Sequence, residues 1–364
     1  MSNIFDYLQW RGDLSFGSSA LCPVDALIFS MLPYVRLEGI LPSSPGGEPV
    51  RLADAVSTYF QGATETPHNA NHHQLLRTLQ ASPRYAPLRL VGAQKELSAE
   101  DGIQFAALSV LLPGQNLLVA FEGTDDTLVG WREDFRMSYE CPVPAQLRAV
   151  EYLRAAAAAH PLRRIYVTGH SKGGNLAMFA AVHCGPEYRY RIRAVYNNDG
   201  PGFCDDTISS PAFVELRDRI HTYLPASSIV GVLLEHDDNY QIVQSTNPGL
   251  LQHDPYSWQI MGADFVYTNE RTAFGRETEA ILERFVNELS PERKRQFAEA
   301  LFTVLESTEQ STVSGIAGNK LQSIRRMIAS YGELDPKVRS ILTDSFAALN
   351  RFRKEVKKER GQAG

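Results

Sequence analysis

Short apolar runs separated by Gly, Asn and Asp fill the middle of the chain, from about residue 88 to residue 270. Two stretches between these runs, residues 145–160 and the segment NLAMFAAVHC, have the apolar spacing of amphipathic helices. Short apolar runs that alternate with helices predict an α/β fold with a mostly parallel sheet. The runs predicted to form strands are FAALSVLLP, NLLVAFEG, RRIYVTG, IRAVYNNDG, RIHTYLP and YQIVQS.

Helical patterns flank this middle region on both sides. Residues 1–87 have helical apolar spacing, interrupted by a Pro- and Gly-rich break at 41–47. Residues 271–364 have the pattern of helices with charged faces, separated by breaks such as Ser290-Pro291 and Asp335-Pro336. We therefore predict three parts: a helical N-terminal layer packed on the core (1–87), the α/β core (88–270) and a helical C-terminal extension (271–364).

Composition and charge narrow the class of protein. Of the 364 residues, 43% are hydrophobic and 21% are charged, which is typical of a folded globular chain. Lys and Arg total 36 against 42 Asp and Glu, and the net charge of -6 argues against nucleic acid as a partner. The four cysteines are widely spaced without a C-x-x-C pair, which predicts neither a zinc site nor a disulfide framework and favours a reducing compartment.

The start of the chain, MSNIFDYLQWRGDLSF, has no basic segment followed by an apolar one. No later segment approaches the roughly 20 apolar residues that a membrane-spanning helix needs. We therefore expect a cytoplasmic protein without a transmembrane segment. Peripheral contact with a membrane stays open, and the sequence indicates no oligomeric state.

The strongest chemical signal is GHSKG at residues 169–173, a G-x-S-x-G motif. A β-rich run precedes it and a helix-forming segment follows it, which is the context of a nucleophile elbow. So tight a turn forces strained backbone angles on Ser171 and leaves room only for glycine at 169 and 173. We therefore predict that Ser171 is a nucleophile and that the N–H of Lys172, at the helix start, binds an oxyanion.

The elbow, together with Phe121-Glu122-Gly123-Thr124, Trp131 and Asp134, resembles the class 3, fungal-type lipase branch of the α/β-hydrolases. The chain is more closely similar to a bacterial family of lipase-like α/β-hydrolases whose biological function is not established. That resemblance runs from NIFDYLQWRGDLSF to about residue 305, and it implies an α/β-hydrolase fold for the core. Its other blocks are GTDDTLVGWREDF, GHSKGGNLA, YNNDGPGF, SSIVGVLLEH and QHDPYSW.

In the lipases that the chain resembles, the loop after the F-R-G-T strand donates a group to the oxyanion. The resemblance gives that role to Thr124, through its backbone N–H and also its hydroxyl. Glu122 stands where those lipases usually have Arg, which puts a salt bridge of that Arg in doubt but leaves the backbone donor. We expect Trp131 and Asp134 to anchor the following helix rather than to react.

A serine nucleophile needs a base, and in this fold the chain order is Ser, acid, His. The histidines that follow the elbow are His183, His221, His236 and His253. His183 falls in the helix after the elbow, and His221 falls inside a predicted strand. His253 follows YQIVQS on a turn-rich loop and lies in one of the similar blocks, so we predict it as the base. His236 and the absence of any functional base stay open as alternatives.

The sequence determines the acid less well. Fungal lipases have an Asp-Ile-Val-Pro segment where this chain has Ser227-Ser228-Ile229-Val230, and serine cannot carry the charge. Asp199 ends the run IRAVYNNDG, at a strand end where loops face the site. We predict Asp199 as the acid. Asp237 or Asp238 stays open, as does a dyad whose histidine is oriented by Ser228 or by a carbonyl.

A cluster of three histidines, His68, His72 and His73, lies in a polar segment. Without Cys partners or a carboxylate nearby in sequence, we expect solvated loop histidines rather than a metal site. Neither a Walker loop nor a Rossmann glycine pattern is present, so no cofactor is implied.

Together these residues predict a carboxylic ester hydrolase of the serine lipase or esterase type, acting on a small-molecule acyl ester, thioester or lipid. Ser171 attacks the acyl carbonyl, His253 moves the proton, Asp199 holds the imidazole, and the N–H groups of Lys172 and Thr124 bind the oxyanion. Two alternatives stay open: a catalytically idle module of the same fold that binds a lipid or protein partner, and an acyltransferase that uses the same serine.

Overall fold

A mixed sheet forms the centre of the protein in this computed structural model, which describes residues 2–66, 69–204, 206–312, 315–316 and 319–363. The strands of these ranges are β1 (Val50–Arg51), β2 (Arg89–Ser98), β3 (Ile103–Leu112), β4 (Asn116–Phe121), β5 (Arg164–His170), β6 (Ile192–Asn198), β7 (Ile220–Pro225), β8 (Tyr240–Val243), β9 (Ile260–Met261), β10 (Asp264–Phe265) and β11 (Tyr267–Thr268). Nine of them form one sheet in the order β1-β2-β3-β4-β5-β6-β7-β8-β11, and β9 pairs with β10 in a small hairpin.

Parallel pairing is confined to the five strands from β4 to β8. The pairings on both sides of them, from β1 to β4 and between β8 and β11, are antiparallel. All six runs predicted as strands contain strands, and the predicted α/β class is confirmed. The sequence did not predict β2, because its second half is polar and only partly buried where it pairs with β3 across a bulge between Val91 and Gln94.

Helices cover both faces of the sheet and form the C-terminal part of the chain. Their bounds in the described ranges are α1 (Ile4–Arg11), α2 (Pro23–Ser30), α3 (Leu52–Gly62), α4 (Ala70–Ala81), α5 (Leu128–Arg136), α6 (Pro144–Ala159), α7 (Lys172–His183), α8 (Pro186–Arg189), α9 (Pro211–Leu216), α10 (Ala273–Glu288), α11 (Pro291–Glu306), α12 (Lys320–Glu333) and α13 (Pro336–Ala363). None of these helices combines the length and the hydrophobicity needed to cross a membrane.

Local sequence signals account for several helix starts. Ser290 caps α11 by accepting the N–H of Arg293, and Pro291 occupies the first helical position. Thr127 caps α5 in the same way by accepting the N–H of Gly130 at 3.1 Å. α13 begins at Pro336, at the predicted Asp335-Pro336 break. These starts fix where the helices beside the candidate site begin.

Two apolar cores lie on opposite faces of the sheet. On one face the N-terminal helices pack through residues such as Phe29 against Leu108 and Tyr196 of the strands. On the other face α6 and α7 pack through residues such as Leu153 and Leu176. Burial on both faces explains why the central parallel strands are apolar almost throughout. Because β4 to β7 run parallel, their carboxyl ends lie together at one edge of the sheet.

The C-terminal helices have a smaller apolar cluster of their own, with Phe297, Ala300 and Leu342 at its centre. Phe135 of α5 packs against this cluster. The segment before α5 also contacts this part of the chain through backbone, since Thr127 bridges to Thr312 and the N–H of Leu128 donates to the Ser311 carbonyl at 2.9 Å. The C-terminal extension is therefore attached to the core at α5.

Candidate active site

Ser171 lies between the end of β5 and the start of α7. Its backbone has φ 58° and ψ -134°, a conformation that costs energy for a residue with a side chain. A Cβ at Gly169 would lie 2.0 Å from the Gly173 carbonyl oxygen, and one at Gly173 would lie 2.4 Å from that of Phe121. The strained, glycine-dependent turn that the motif predicts is therefore present.

Asp199 follows β6, the parallel neighbour of β5. The N–H of Ser171 donates to the carbonyl of Asn198 at 3.0 Å, so Ser171 and Asp199 are neighbours at the sheet edge. His253 ends a short 3-10 segment, and its Nδ1 lies 2.6 Å from Oδ2 of Asp199. Because a carboxylate only accepts, Nδ1 carries the proton and Nε2 keeps its lone pair. The structure thus pairs Asp199 with His253 in the tautomer that a general base needs.

Ser228 contacts the carboxylate rather than the histidine. Its hydroxyl donates to Oδ1 of Asp199 and accepts the N–H of Gly231 at 3.0 Å. The carboxylate of Asp199 is fully buried, and these contacts satisfy the oxygen that faces away from His253.

The other sequence candidates lie elsewhere. Asp237 pairs with Arg217 at 2.8 Å, and Nδ1 of His236 lies 3.1 Å from the carbonyl oxygen of Leu234. His236 and Asp238 line a cavity of about 520 Å³ beside α10. His183 is the last residue of α7, and His221 lies in β7.

The hydroxyl of Ser171 makes no hydrogen bond within the described part of the chain, and the residue is 8% exposed. Hydrogen bonds of catalytic groups are often long or absent without substrate and tighten when it binds. The structure therefore places the His253–Asp199 pair and Ser171 at the same sheet edge without a hydrogen bond from the Ser171 hydroxyl in the residues that it describes.

A second histidine, His170, fixes the loop of His253, and the sequence did not single it out. Its Nε2 donates to the carbonyl of His253 at 2.9 Å, and the two rings lie 4.7 Å apart. Its Nδ1 accepts from the hydroxyl of Tyr34 at 3.3 Å, which in turn accepts the N–H of Gly123 at 3.1 Å. Burial lowers the pKa of His170 well below its usual value and keeps the ring neutral. Tyr34 lay in an apolar helical pattern that gave no signal of this contact.

The two predicted oxyanion donors lie on either side of Ser171. Lys172 is the first residue of α7, so its N–H has no acceptor within the helix. Thr124 follows Gly123, where an added Cβ would lie 3.0 Å from that of Ser171. The Thr124 hydroxyl donates to Asp134, whose pKa burial raises to about 6. This engages the hydroxyl and leaves the backbone N–H as the donor of Thr124.

Trp131 does not anchor α5 as we expected. The residue is 45% exposed, whereas the buried positions of α5 are Leu128, Gly130 and Glu133. The expectation for Trp131 is wrong because the inward position is taken by a carboxylate, which pairs with the buried ammonium group of Lys172.

Glu122, which replaces the arginine of the similar lipases, is buried at the end of β4. It accepts from Nε2 of Gln104 at 2.8 Å and from the ammonium of Lys95 at 3.3 Å. Burial raises the pKa of Glu122 to about 7 against the opposing effect of Lys95. A buried carboxylate that pairs with Lys95 thus replaces the arginine of the similar lipases.

The histidines expected to be solvated are packed instead. His73 is buried in α4 and its Nε2 lies 2.9 Å from the hydroxyl of Tyr59. His72 stacks on Tyr34 and contacts the hydroxyl of Tyr256 at 2.9 Å, and burial lowers its pKa to about 4. The expectation of solvated loop histidines is wrong for His72 and His73, because a helix that begins at Ala70 directs both onto the core. His68 lies outside the described residues. In the ranges that are described, no group of three or more His, Cys, Asp or Glu side chains is placed to hold a metal ion.

Comparison with known proteins gives a family and similar solved structures. A family model described as Mbeg1-like matches residues 79–303, and so leaves out most of the N-terminal layer. The structure titled "Rhizomucor miehei lipase propeptide complex, native" is similar at 14% identity, with 68% of this chain and 74% of that chain covered and a TM-score of 0.38. No curated protein matches the chain.

Proposed function

The chain belongs to the Mbeg1-like family, a lipase-like family, and from this premise and the geometry around Ser171 we propose that it is a serine hydrolase. Its substrate is an acyl ester or thioester of a small molecule or lipid. The core has the α/β-hydrolase fold of the class 3 lipase-like branch, with Ser171, Asp199 and His253 in the chain order of that fold.

The reaction proceeds through an acyl-enzyme. Ser171 Oγ attacks the acyl carbonyl while His253 Nε2 takes its proton and then passes it to the leaving group. Asp199 holds the ring and stabilises the imidazolium. The N–H groups of Thr124 and Lys172 bind the negative oxygen of the tetrahedral intermediate. Water, activated by the same histidine, then releases the acid.

The contact between His253 and Asp199 carries this proposal. The carboxylate is fully buried and is held by Ser228, whereas the imidazole side chain is 32% exposed at the same sheet edge as the elbow. A buried carboxylate that orients an accessible histidine beside a strained serine is the arrangement that activates a serine. It supports an enzyme more than a binding module, which needs no such pair.

Labelling with a fluorophosphonate, read by mass spectrometry, tests the proposal. We expect wild type to be labelled at Ser171 and to hydrolyse short p-nitrophenyl esters, and Ser171→Ala and His253→Ala to lose both properties. His236→Ala is the matched control and should be labelled like wild type, since His236 lies on another loop. A folded wild type that neither takes the label nor cleaves esters would contradict the proposal and favour an idle module. Product analysis with added alcohol acceptors distinguishes hydrolysis from acyl transfer.

A further inference from the structure

A buried ion pair lies directly behind the elbow. The ammonium of Lys172 is 2.9 Å from Oε2 of Glu133, and the two side chains are 1% and 0% exposed. Removing two charges from water costs several kcal/mol for each ion, so an apolar pair of similar size would often be at least as stable. Stability alone therefore does not explain why an ion pair is buried at this position.

Glu133 joins three elements at this point. Besides Lys172 of α7, its carboxylate accepts the N–H of Gln104 in β3 at 3.1 Å and the N–H of Ala145 in α6 at 2.9 Å. A single carboxylate thus receives one donor from each of three elements. Its position fixes where α7 begins relative to β3.

Gln104 extends the contacts to the other side of the elbow. Its backbone carbonyl accepts from the Lys172 ammonium at 2.8 Å, and its side-chain oxygen accepts from the same group. Its Nε2 donates to the carbonyl of Gly123 at 3.2 Å. Gly123 immediately precedes Thr124, so one glutamine side chain connects the two residues whose N–H groups would bind the oxyanion.

We propose that Lys172, Glu133 and Gln104 form a positioning unit that sets the separation of the Lys172 and Thr124 N–H groups. This inference rests on the proposed function, since it assigns a role within that reaction. Donors aimed at an oxyanion are effective only if they are held in place before charge develops. The side chains of the unit touch no substrate and act by holding the backbone of Lys172 and Thr124 in place.

The test compares single and double variants. Lys172→Met and Glu133→Gln each leave one buried charge or its partners unpaired, and both should lower the melting temperature. The double variant removes both charges and should regain much of that loss. We expect its kcat to stay roughly 10- to 100-fold below wild type with KM nearly unchanged, because displaced donors lose interactions made only in the transition state. Binding of a trifluoromethyl ketone analogue should weaken by the same factor.

Two further proteins complete the experiment. Gln104→Met removes the side-chain contacts with Gly123, Lys172 and Glu122 but keeps the backbone groups that meet Lys172 and Glu133, and it should show the same kcat loss. The double variant Arg189→Met with Glu215→Gln removes a 2.8 Å ion pair between α8 and α9 and should leave kcat unchanged. A Lys172→Met, Glu133→Gln protein whose kcat recovers with its melting temperature would overturn the positioning unit alone. An inactive, unlabelled wild type would overturn the proposed function with it.

Discussion

The two sides of the candidate site are built differently. On the base side, His253 is partly exposed on a short 3-10 segment and is held by the carboxylate of Asp199 and the imidazole of His170, while the Ser228 hydroxyl holds Asp199. On the donor side, the residues around Lys172 are buried and charged. A base must reach substrate and exchange protons, whereas oxyanion donors work by staying fixed. The difference in burial and charge between the two sides agrees with the separate roles that we propose for them.

The flanking parts of the chain both contact the candidate site. Tyr34, from the N-terminal layer, contacts His170 beside the loop of His253 and also accepts the N–H of Gly123, which precedes Thr124. The C-terminal extension packs on α5, where Phe302 meets Phe135 and Glu306 pairs with Arg132 at 3.0 Å. It also reaches the other side, since Arg271 donates to the carbonyl of Ser228 and Thr272 contacts the hydroxyl of Ser227 at 2.7 Å. Both flanking parts therefore contact both sides of the candidate site.

The largest effect should come from the base side. Asp199→Asn should lower kcat by about 10⁴-fold, because an amide that donates to Nδ1 leaves the proton on Nε2, the atom that must accept. Asparagine tolerates the positive φ of 56° at this position, so the melting temperature should change little. Steady-state ester hydrolysis measures the first and thermal unfolding the second. A loss of only a few-fold would mean that His253 does not depend on Asp199.

The outer support of the donor side comes next. Phe302 is 1% exposed and its ring lies 5.8 Å from that of Phe135. Phe302→Ala should lower the free energy of unfolding by about 3 to 5 kcal/mol through the cavity it leaves. Denaturant titration measures this, with Phe346→Ala as the control, since Phe346 is 47% exposed, contacts the ring of Phe297 and should cost much less. Equal losses of unfolding free energy in the two variants would contradict the expected importance of the buried contact between Phe302 and α5.

A pH-dependent effect should follow at Glu122. Its pKa is raised from 4.5 to about 7, so the folded state favours the protonated form, and wild type should lose stability as pH rises through this range. Glu122→Gln carries no proton to lose. It should match wild type below pH 4.5 and exceed it by about 3 kcal/mol above pH 7. Unfolding at a series of pH values checks this, and a difference independent of pH would contradict it.

The smallest effect should be at Ser228. Ser228→Ala removes the hydroxyl that donates to Oδ1 of Asp199, a hydrogen bond to a charged group worth about 1.5 to 3 kcal/mol. We expect kcat to fall roughly 10-fold, far less than for Asp199→Asn. Ser227→Ala is the neighbouring control, because the Ser227 hydroxyl bonds Thr272 and not the acid. Equal kcat values for the two variants would show that the Ser228 hydroxyl does not help to position Asp199.

Local patterns predicted the base side better than the donor side. The elbow is contained within five residues, and reasoning from strand ends predicted that Asp199 and His253 would meet, although their catalytic roles stay predictions. The α/β class followed from six runs whose apolar texture reflects burial on both faces. Each of these signals lies in a short stretch of sequence.

The donor side depends on contacts between distant residues. Glu133 and Lys172 are 39 residues apart, and Gln104 is 68 residues from Lys172. The sequence signal for these contacts was weak: Gln104 is a polar residue near the start of the largely apolar strand β3. The misjudged Trp131 and His73 have the same cause, because partners far away in sequence decide which side of a helix turns inward. The pattern of one sequence can predict where a helix forms, but it does not identify the distant residues that the helix contacts.

The backbone bridge between Thr127 and Thr312 has a consequence for synthesis. Chains emerge from the ribosome N-terminus first, and their domains fold as they emerge. Ser171, Asp199 and His253 all precede the bridge, so the proposed nucleophile, acid and base are translated before the segment that contacts α5. A nascent chain that stops short of residue 312 would contain these three residues without that contact, and the activity that we propose should arise only late in translation.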